Sequence, residues 1–281
     1  MPQYVLTLAC PDQPGIVRQL ADGIVAVGGN IVDSAQFSDP VTGTFCVRTQ
    51  FDADAENVML VRAEVASRLA RFDPVLTVRP QSARCRVLVM VSRFDHCLVD
   101  LLYRWQLGEL AVDLPLVVSN HQDGRQLVER HGIPFVHLPV TAATKADAET
   151  RLLDLIDEHG IDLVVLARYM QVLSNDTCRR LAGRVINIHH SFLPGFTGAK
   201  PYHQAYQRGV KLIGATAHYV TPDLDEGPII EQDVVRVSHA QDAQALVAIG
   251  RDVERVVLAR AVRLHAEDRV VLTGARTVVF A

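Results

Sequence analysis

The chain has 281 residues, 49% of them hydrophobic, enough apolar material for one large core or two smaller ones. Its 28 basic and 32 acidic residues leave a net charge of -4 with no block of like charge, which argues against nucleic acid as the main partner. The five cysteines form no CxxC pair, as suits a reducing cytoplasm, and no window approaches the roughly 18 apolar residues that a membrane span requires.

Residues 4–9 open the chain as a short apolar strand. Asp12-Gln13-Pro14-Gly15 follows, then Ile16, Leu20, Ile24 and Val27 at helical spacing, with Gly28-Gly29 ending the helix. Pro14 falls in the first turn, where its missing N–H costs nothing. Residues 31–37 predict a second strand, joined through Asp39-Pro40-Val41-Thr42-Gly43 to the alternating Phe45, Val47, Thr49 and Phe51, a half-buried third. Val58, Val61, Val65 and Leu69 mark a second helix and residues 75–78 a fourth strand, so residues 1–80 read as a βαββαβ unit. Within it Asp12, Gly15, Ile16 and Asn30 mark a loop, a helix start and a turn, roles that cap and turn chemistry fills without any ligand.

Apolar content drops through Arg79-Pro80-Gln81-Ser82-Ala83-Arg84, and residues 81–84 are expected to be a linker. From residue 87 onward short apolar runs alternate with helical stripes: 87–91, a helix through Leu98, Leu102 and Trp105, 114–118, a helix near 126–131, and 135–138. The alternation continues with a helix through Leu152 and Ile156, then 163–167, a short helix capped near Ser174, and 185–188. This is the signature of a mostly parallel, Rossmann-like α/β domain over residues 85–281, in which ligands bind beyond the carboxyl ends of the strands.

Two strand ends carry suggestive chemistry. Asn187 and His189 lie two apart, so strand periodicity puts a carboxamide and an imidazole on one face, where together they could hold a developing oxyanion. The same pair also suits a turn cap and a hydrogen-bonded loop histidine. His190 points the other way and has no partner at metal-ligand spacing, so no metal is expected; Ser191 lacks the G-x-S-x-G elbow of a nucleophile. Further on, residues 212–219 run into the acidic loop Thr221-Pro222-Asp223-Leu224-Asp225-Glu226-Gly227-Pro228. Asp223 and Glu226 fit a solvated loop, whereas Asp225, just ahead of Gly227-Pro228, could be fixed rigidly over a site.

Asn187-Ile188-His189 with Ser191-Phe192-Leu193-Pro194, and Asp225 before Gly227-Pro228, resemble the Asn, His and Asp signature of the folate-dependent formyltransferases. Leu166-Ala167-Arg168-Tyr169-Met170-Gln171-Val172-Leu173-Ser174 is similar to the segment that lines their folate pocket, and the resemblance runs from about residue 85 to 280. Within that superfamily the chain looks most like the formyltetrahydrofolate deformylases. Ser92-Arg93-Phe94-Asp95-His96-Cys97-Leu98 stands where the glycinamide ribonucleotide transformylases carry a Gly-containing phosphate loop, and a loop with no glycine and an aspartate is ill suited to phosphate. Gly198-Ala199-Lys200-Pro201-Tyr202-His203 looks like the deformylase version of the loop after the catalytic strand, and residues 1–80 resemble an ACT domain.

The resemblance implies hydrolysis of 10-formyltetrahydrofolate to formate and tetrahydrofolate, feeding formate to purine biosynthesis and balancing one-carbon pools, without metal or cofactor. It assigns oxyanion binding to Asn187 and His189, and orientation of water and of His189 to Asp225. Met170, Gln171, Val172, Leu173, Val220, Thr221 and Asp223 would contact the folate; Asp12, Gly15, Ile16 and Asn30 would form an effector site for methionine or glycine. A cytoplasmic homo-oligomer is implied as well. Two alternatives remain open: formyl transfer to an amine acceptor, which formylation of glycinamide ribonucleotide would reveal, and a non-catalytic amino-acid or folate sensor, which would release no formate.

Overall fold

In a computed structural model, which describes residues 1–195 and 201–280, the chain divides into two units: Met1–Arg84 together with Glu267–Ala281, and Cys85–Ala266.

The first unit runs β1 (Gln3–Pro11), α1 (Ile16–Ala26), β2 (Asn30–Asp39), β3 (Thr44–Asp52), α2 (Val58–Leu69) and β4 (Val75–Pro80). Its antiparallel sheet has the order β2-β3-β1-β4. Gly15, at φ 98°, turns the chain into α1, a left-handed conformation that glycine adopts without steric cost. Asn57 caps α2 by accepting the Met59 N–H. Both helices bury their apolar stripes, Ile16, Leu20 and Ile24 on one and Val61, Val65 and Leu69 on the other, among Leu6, Leu8, Phe45, Val47 and Phe51 of the sheet. Each such side chain stabilises the unit by about 1.5–3 kcal/mol.

In the second unit the elements are β5 (Cys85–Val91), α3 (His96–Gln106), β6 (Val112–Ser119), α4 (Arg125–Arg130), β7 (Phe135–His137), α5 (Lys145–Glu158) and β8 (Leu163–Leu166). They continue with α6 (Asn175–Arg180), β9 (Val185–His189), α7 (Pro201–Arg208), β10 (Leu212–Tyr219), β11 (Ile229–Arg236) and α8 (Ala243–Ala266). The sheet order is β11-β10-β9-β8-β5-β6-β7. Neighbours from β9 to β7 are parallel, while β10 is antiparallel to both β9 and β11. β8 is buried throughout and β5 over its last five residues, as covering a parallel sheet on both faces requires. The strand order reverses between β5 and β8, and such a switch point opens a crevice for ligands.

After α8 the chain makes a hairpin, β12 (Val270–Thr273) and β13 (Arg276–Val279), that belongs to the first unit. The sequence reading ran the larger domain through residue 281; the hairpin departs from it because Val271 and Phe280 pack on Cys46, with Ala9 and Ala35 alongside. This also explains why β3 is not half-buried as its alternation predicts. Its second face lies under the hairpin, and Cys46 and Arg48 are buried with the rest. Among the described residues no helix is long and apolar enough to cross a membrane.

Candidate active site

Asn187 and His189 do share one face of β9, and the antiparallel register sets His218 of β10 directly opposite Asn187. The loop leaving β10 then folds back so that the Asp225 carboxylate stands between two imidazoles. Its Oδ2 lies 3.3 Å from His189 Nδ1 and its Oδ1 3.7 Å from His218 Nε2. Asp225 has φ 58°, a left-handed conformation that aspartate tolerates better than most residues. Two residues on, a Cβ at Gly227 would fall 1.7 Å from the Tyr219 carbonyl oxygen, so only glycine lets the loop close back on the strand. His189, hydrogen-bonded to it, and His218 beside it hold the Asp225 carboxyl well below the usual carboxylate range, against the opposing effect of burial.

His218 Nδ1 donates to the Tyr219 carbonyl at 2.9 Å, which leaves its Nε2 3.4 Å from the Asn187 amide nitrogen. His189 is 5% exposed, and its Nε2 is a buried atom with no hydrogen-bond partner. Since Nδ1 is taken by Asp225 and the ring lines a cavity, Nε2 is the nitrogen left for a bound molecule.

That cavity encloses about 700 Å³. Met170, Gln171, Val172, Leu173, Val220 and Thr221 all line it, as expected from the sequence; Pro222 and Leu224 complete that wall. Asp223 does not: it is exposed, and its backbone carbonyl accepts the Thr221 hydroxyl at 3.0 Å, so it serves the turn instead. Segment 168–170 is anchored at the switch point. Ser92 Oγ accepts the Met170 N–H at 2.9 Å and donates to Asn120 Oδ1 at 2.7 Å, and both of these side chains are buried. The start of the first loop, read as a poor phosphate site, thus works as a tie between strand ends.

Opposite the apolar wall lies a charged cluster that no local motif signals. Glu254 of α8 is 1% exposed and accepts hydrogen bonds from Tyr202 Oη at 2.7 Å and His96 Nε2 at 2.9 Å. Arg168 Nε stands 3.4 Å away as an ion pair without hydrogen-bond geometry. Burial raises the Glu254 carboxyl, but His96, Arg168 and Tyr202 together outweigh it and leave it below its ordinary value. Arg168, at φ 63°, also faces the Phe94 ring, as does Arg251, at 5.6 and 5.7 Å from the centroid. The signal in the sequence was a lone acid in the apolar stripe Leu246, Gly250, Glu254, Leu258.

His190 also lines the cavity, its ring 5.2 Å from that of His189 and 6.2 Å from that of Tyr202. Burial first, then Arg168 and His189, push its pKa down to about 4, so it is neutral near pH 7. Among the described residues one group, His96, Cys97 and Glu254, gathers three donor atoms of metal-ligating type within 4.8 Å. Each Glu254 oxygen already accepts a hydrogen bond beside a guanidinium, and burial lifts the Cys97 thiol well above its ordinary range, away from the thiolate a metal needs. Residues 198–200 of the loop after β9 lie outside the described residues.

In the first unit, Asp12 accepts a hydrogen bond from Ser38, Gly15 precedes α1 and Asn30 is exposed at the start of β2. Ile16, by contrast, is 2% exposed, its side chain turned into the core by helical spacing.

Known proteins share this architecture. The formyl transferase family matches residues 85–262. A formyltetrahydrofolate deformylase of Corynebacterium sp. (strain P-1) is 50% identical over 279 residues, 99% of this chain and 98% of that one. The crystal structure of a formyltetrahydrofolate deformylase from Burkholderia mallei ATCC 23344 superposes with a TM-score of 0.96 at 51% identity, covering 100% of both chains. A glycinamide ribonucleotide transformylase from Symbiobacterium toebii matches 70% of this chain and 95% of its own, with a TM-score of 0.66 and 30% identity.

Proposed function

This chain belongs to the formyltetrahydrofolate deformylases, and from that premise we propose that it hydrolyses 10-formyltetrahydrofolate to formate and tetrahydrofolate at Asn187, His189 and Asp225. The observation that carries the reading is the polarity of His189, bound at Nδ1 by an ionised Asp225 and presenting an unpartnered Nε2 to the cavity. The Asn187 Nδ2 amide donates to the oxygen of a formyl group as it gains charge, and His189 Nε2 joins it as a donor when the ring carries a second proton, the form that the Asp225 carboxylate stabilises. Water adds to the formyl carbon, the C=O pair moves onto oxygen, and collapse breaks the bond to the leaving nitrogen. One water proton reaches that nitrogen, with Asp225 orienting His189 and the water; the other is released as formate departs as an anion. The apolar wall of residues 170–173 and 220–222 is the proposed seat of the pterin, whose ring edges backbone amides would read.

The proposed reaction needs neither metal nor cofactor, a reading supported by the engagement of Glu254 with His96 and Tyr202 and by the raised Cys97 thiol. The βαββαβ unit is proposed to be an ACT domain that binds an amino acid such as methionine or glycine near Asp12, Gly15 and Asn30. Its edge strand β2 exposes Ile31, Val32 and Phe37 beside unpaired backbone groups, which supports association of like chains, and the five free cysteines suit a cytoplasmic setting.

Purified protein incubated with 10-formyltetrahydrofolate and no acceptor should release formate and tetrahydrofolate in equal amounts. Asp225→Asn should lower turnover by about a hundredfold or more, since it weakens both the orientation of His189 and the stabilisation of charge on it. Absence of formate, with or without methionine, would favour the sensor.

A further inference from the structure

We propose that the buried Arg168–Glu254 pair, braced by His96 and Tyr202, walls off the side of the cavity from which a second substrate would approach, and so makes water the acceptor of the formyl group. The proposal rests on the hydrolytic reading above and names the residues that keep the reaction hydrolytic.

Four separate segments deliver this cluster: the start of α3, the turn after β8, α7 and α8. None of its members belongs to the apolar wall of residues 170–173 and 220–224, although all four line the same cavity. The cluster starts close to the proposed reacting groups, since the His190 ring lies 5.2 Å from that of His189, tilted by 31°, and 6.2 Å from that of Tyr202. Both oxygens of Glu254 are occupied, Oε1 by the Tyr202 hydroxyl and Oε2 by His96 and Arg168. Both oxygens are thus engaged within the cluster, and the guanidinium repels the ammonium form of an incoming amine.

Two features show how closely this wall is built. Arg168 is held at φ 63°, a conformation that a non-glycine residue occupies at a cost. At Gly250, one turn before Glu254, a Cβ would fall 2.1 Å from the Tyr202 ring, so glycine there is what lets the ring lie on α8 and reach the carboxylate. A charge buried this deeply is expensive to keep, and none of its hydrogen bonds reaches Asn187, His189 or Asp225. Occupying the approach to the formyl carbon gives it a use. Water, having no substituent beyond its hydrogens, passes where an amine does not.

In transfer to an amine, a new C–N bond forms, the bond to the folate nitrogen breaks, and the amine proton passes to that nitrogen. In hydrolysis the new bond is C–O. The two routes are read from one mixture of 10-formyltetrahydrofolate and glycinamide by measuring N-formylglycinamide and formate together. Arg168→Gly removes the guanidinium while giving the positive φ the residue it favours, and Glu254→Gln keeps the volume but dissolves the ion pair. Wild-type protein should give formate almost alone, and Arg168→Gly should raise the formylglycinamide share at least about tenfold, with a smaller rise for Glu254→Gln. An unchanged ratio in both variants, whatever happens to total turnover, would overturn the proposal and leave the cluster a structural one. Failure of the wild-type protein to release formate would instead overturn the hydrolytic reading on which it rests.

Discussion

His190 stands next to His189, and burial with the positive charge of Arg168 lowers its pKa. Its pKa lies at about 4 in the fold against 6.5 for a free histidine side chain, so between those values the unfolded chain binds the extra proton. The contribution is fully present above about pH 6.5 and is lost as pH falls toward 4, with a slope of up to about 1.4 kcal/mol per pH unit. Urea unfolding at pH 6.5 and 4.5 should therefore show a smaller loss for His190→Gln than for the wild-type protein; equal losses would mean that His190 does not carry this linkage. At this scale the sequence was informative where residues are neighbours in the chain. Asn187 and His189 share a face because strands alternate, and the tightness at Gly227 explains why Asp225, among three acids in its loop, reaches the imidazoles. His218 carries no such local signal. Only the register of β10 against β9 brings it to Asn187, and register is a property of two strands, not one.

Elements with strong local periodicity were legible. The stripes of α1 and α2 and the apolar runs of β5 and β8 are set by the same side chains that they bury. The Glu254 cluster was not, because its members are brought together only by tertiary packing of α3, α7 and α8 around the end of β8. The packing of α7 on α8 offers a test of how tightly it is specified. Gly250→Ala drives a methyl into the Tyr202 ring and should destabilise the protein by about 1–3 kcal/mol, as overpacking does. In a Tyr202→Ala background the same substitution finds the space vacated, so a double-mutant cycle by chemical denaturation should give a large favourable coupling. Simple additivity would place the Gly250 constraint elsewhere.

For the molecule as a whole, the two units are not two consecutive pieces of chain. The hairpin β12–β13 closes the open face of the first unit's sheet with Val271 and Phe280, and it supplies the Glu267 carbonyl that accepts a hydrogen bond from buried Arg48 at 3.2 Å. Asp268 pairs with Arg79 of β4 in the same unit. Sequence periodicity missed this because a four-residue strand carries no more pattern than a loop does, and the residues on which the hairpin packs, Ala9, Ala35 and Cys46, lie at the other end of the chain. Removal of residues 267–281 should accordingly loosen the first unit while sparing the second, whose helix α8 ends at Ala266. The most direct reporter is Cys46, fully buried under the hairpin and with its thiol pushed up to about 11 by burial. In the truncated chain Cys46 should react readily with a thiol reagent at neutral pH, and amides of β1 and β3 should exchange faster, while those of β5, β8 and β9 keep their protection. A Cys46 that stays unreactive, with unchanged exchange in β3, would mean that the sheet of the first unit is held shut without the hairpin, and that the long return of the chain adds nothing to its stability.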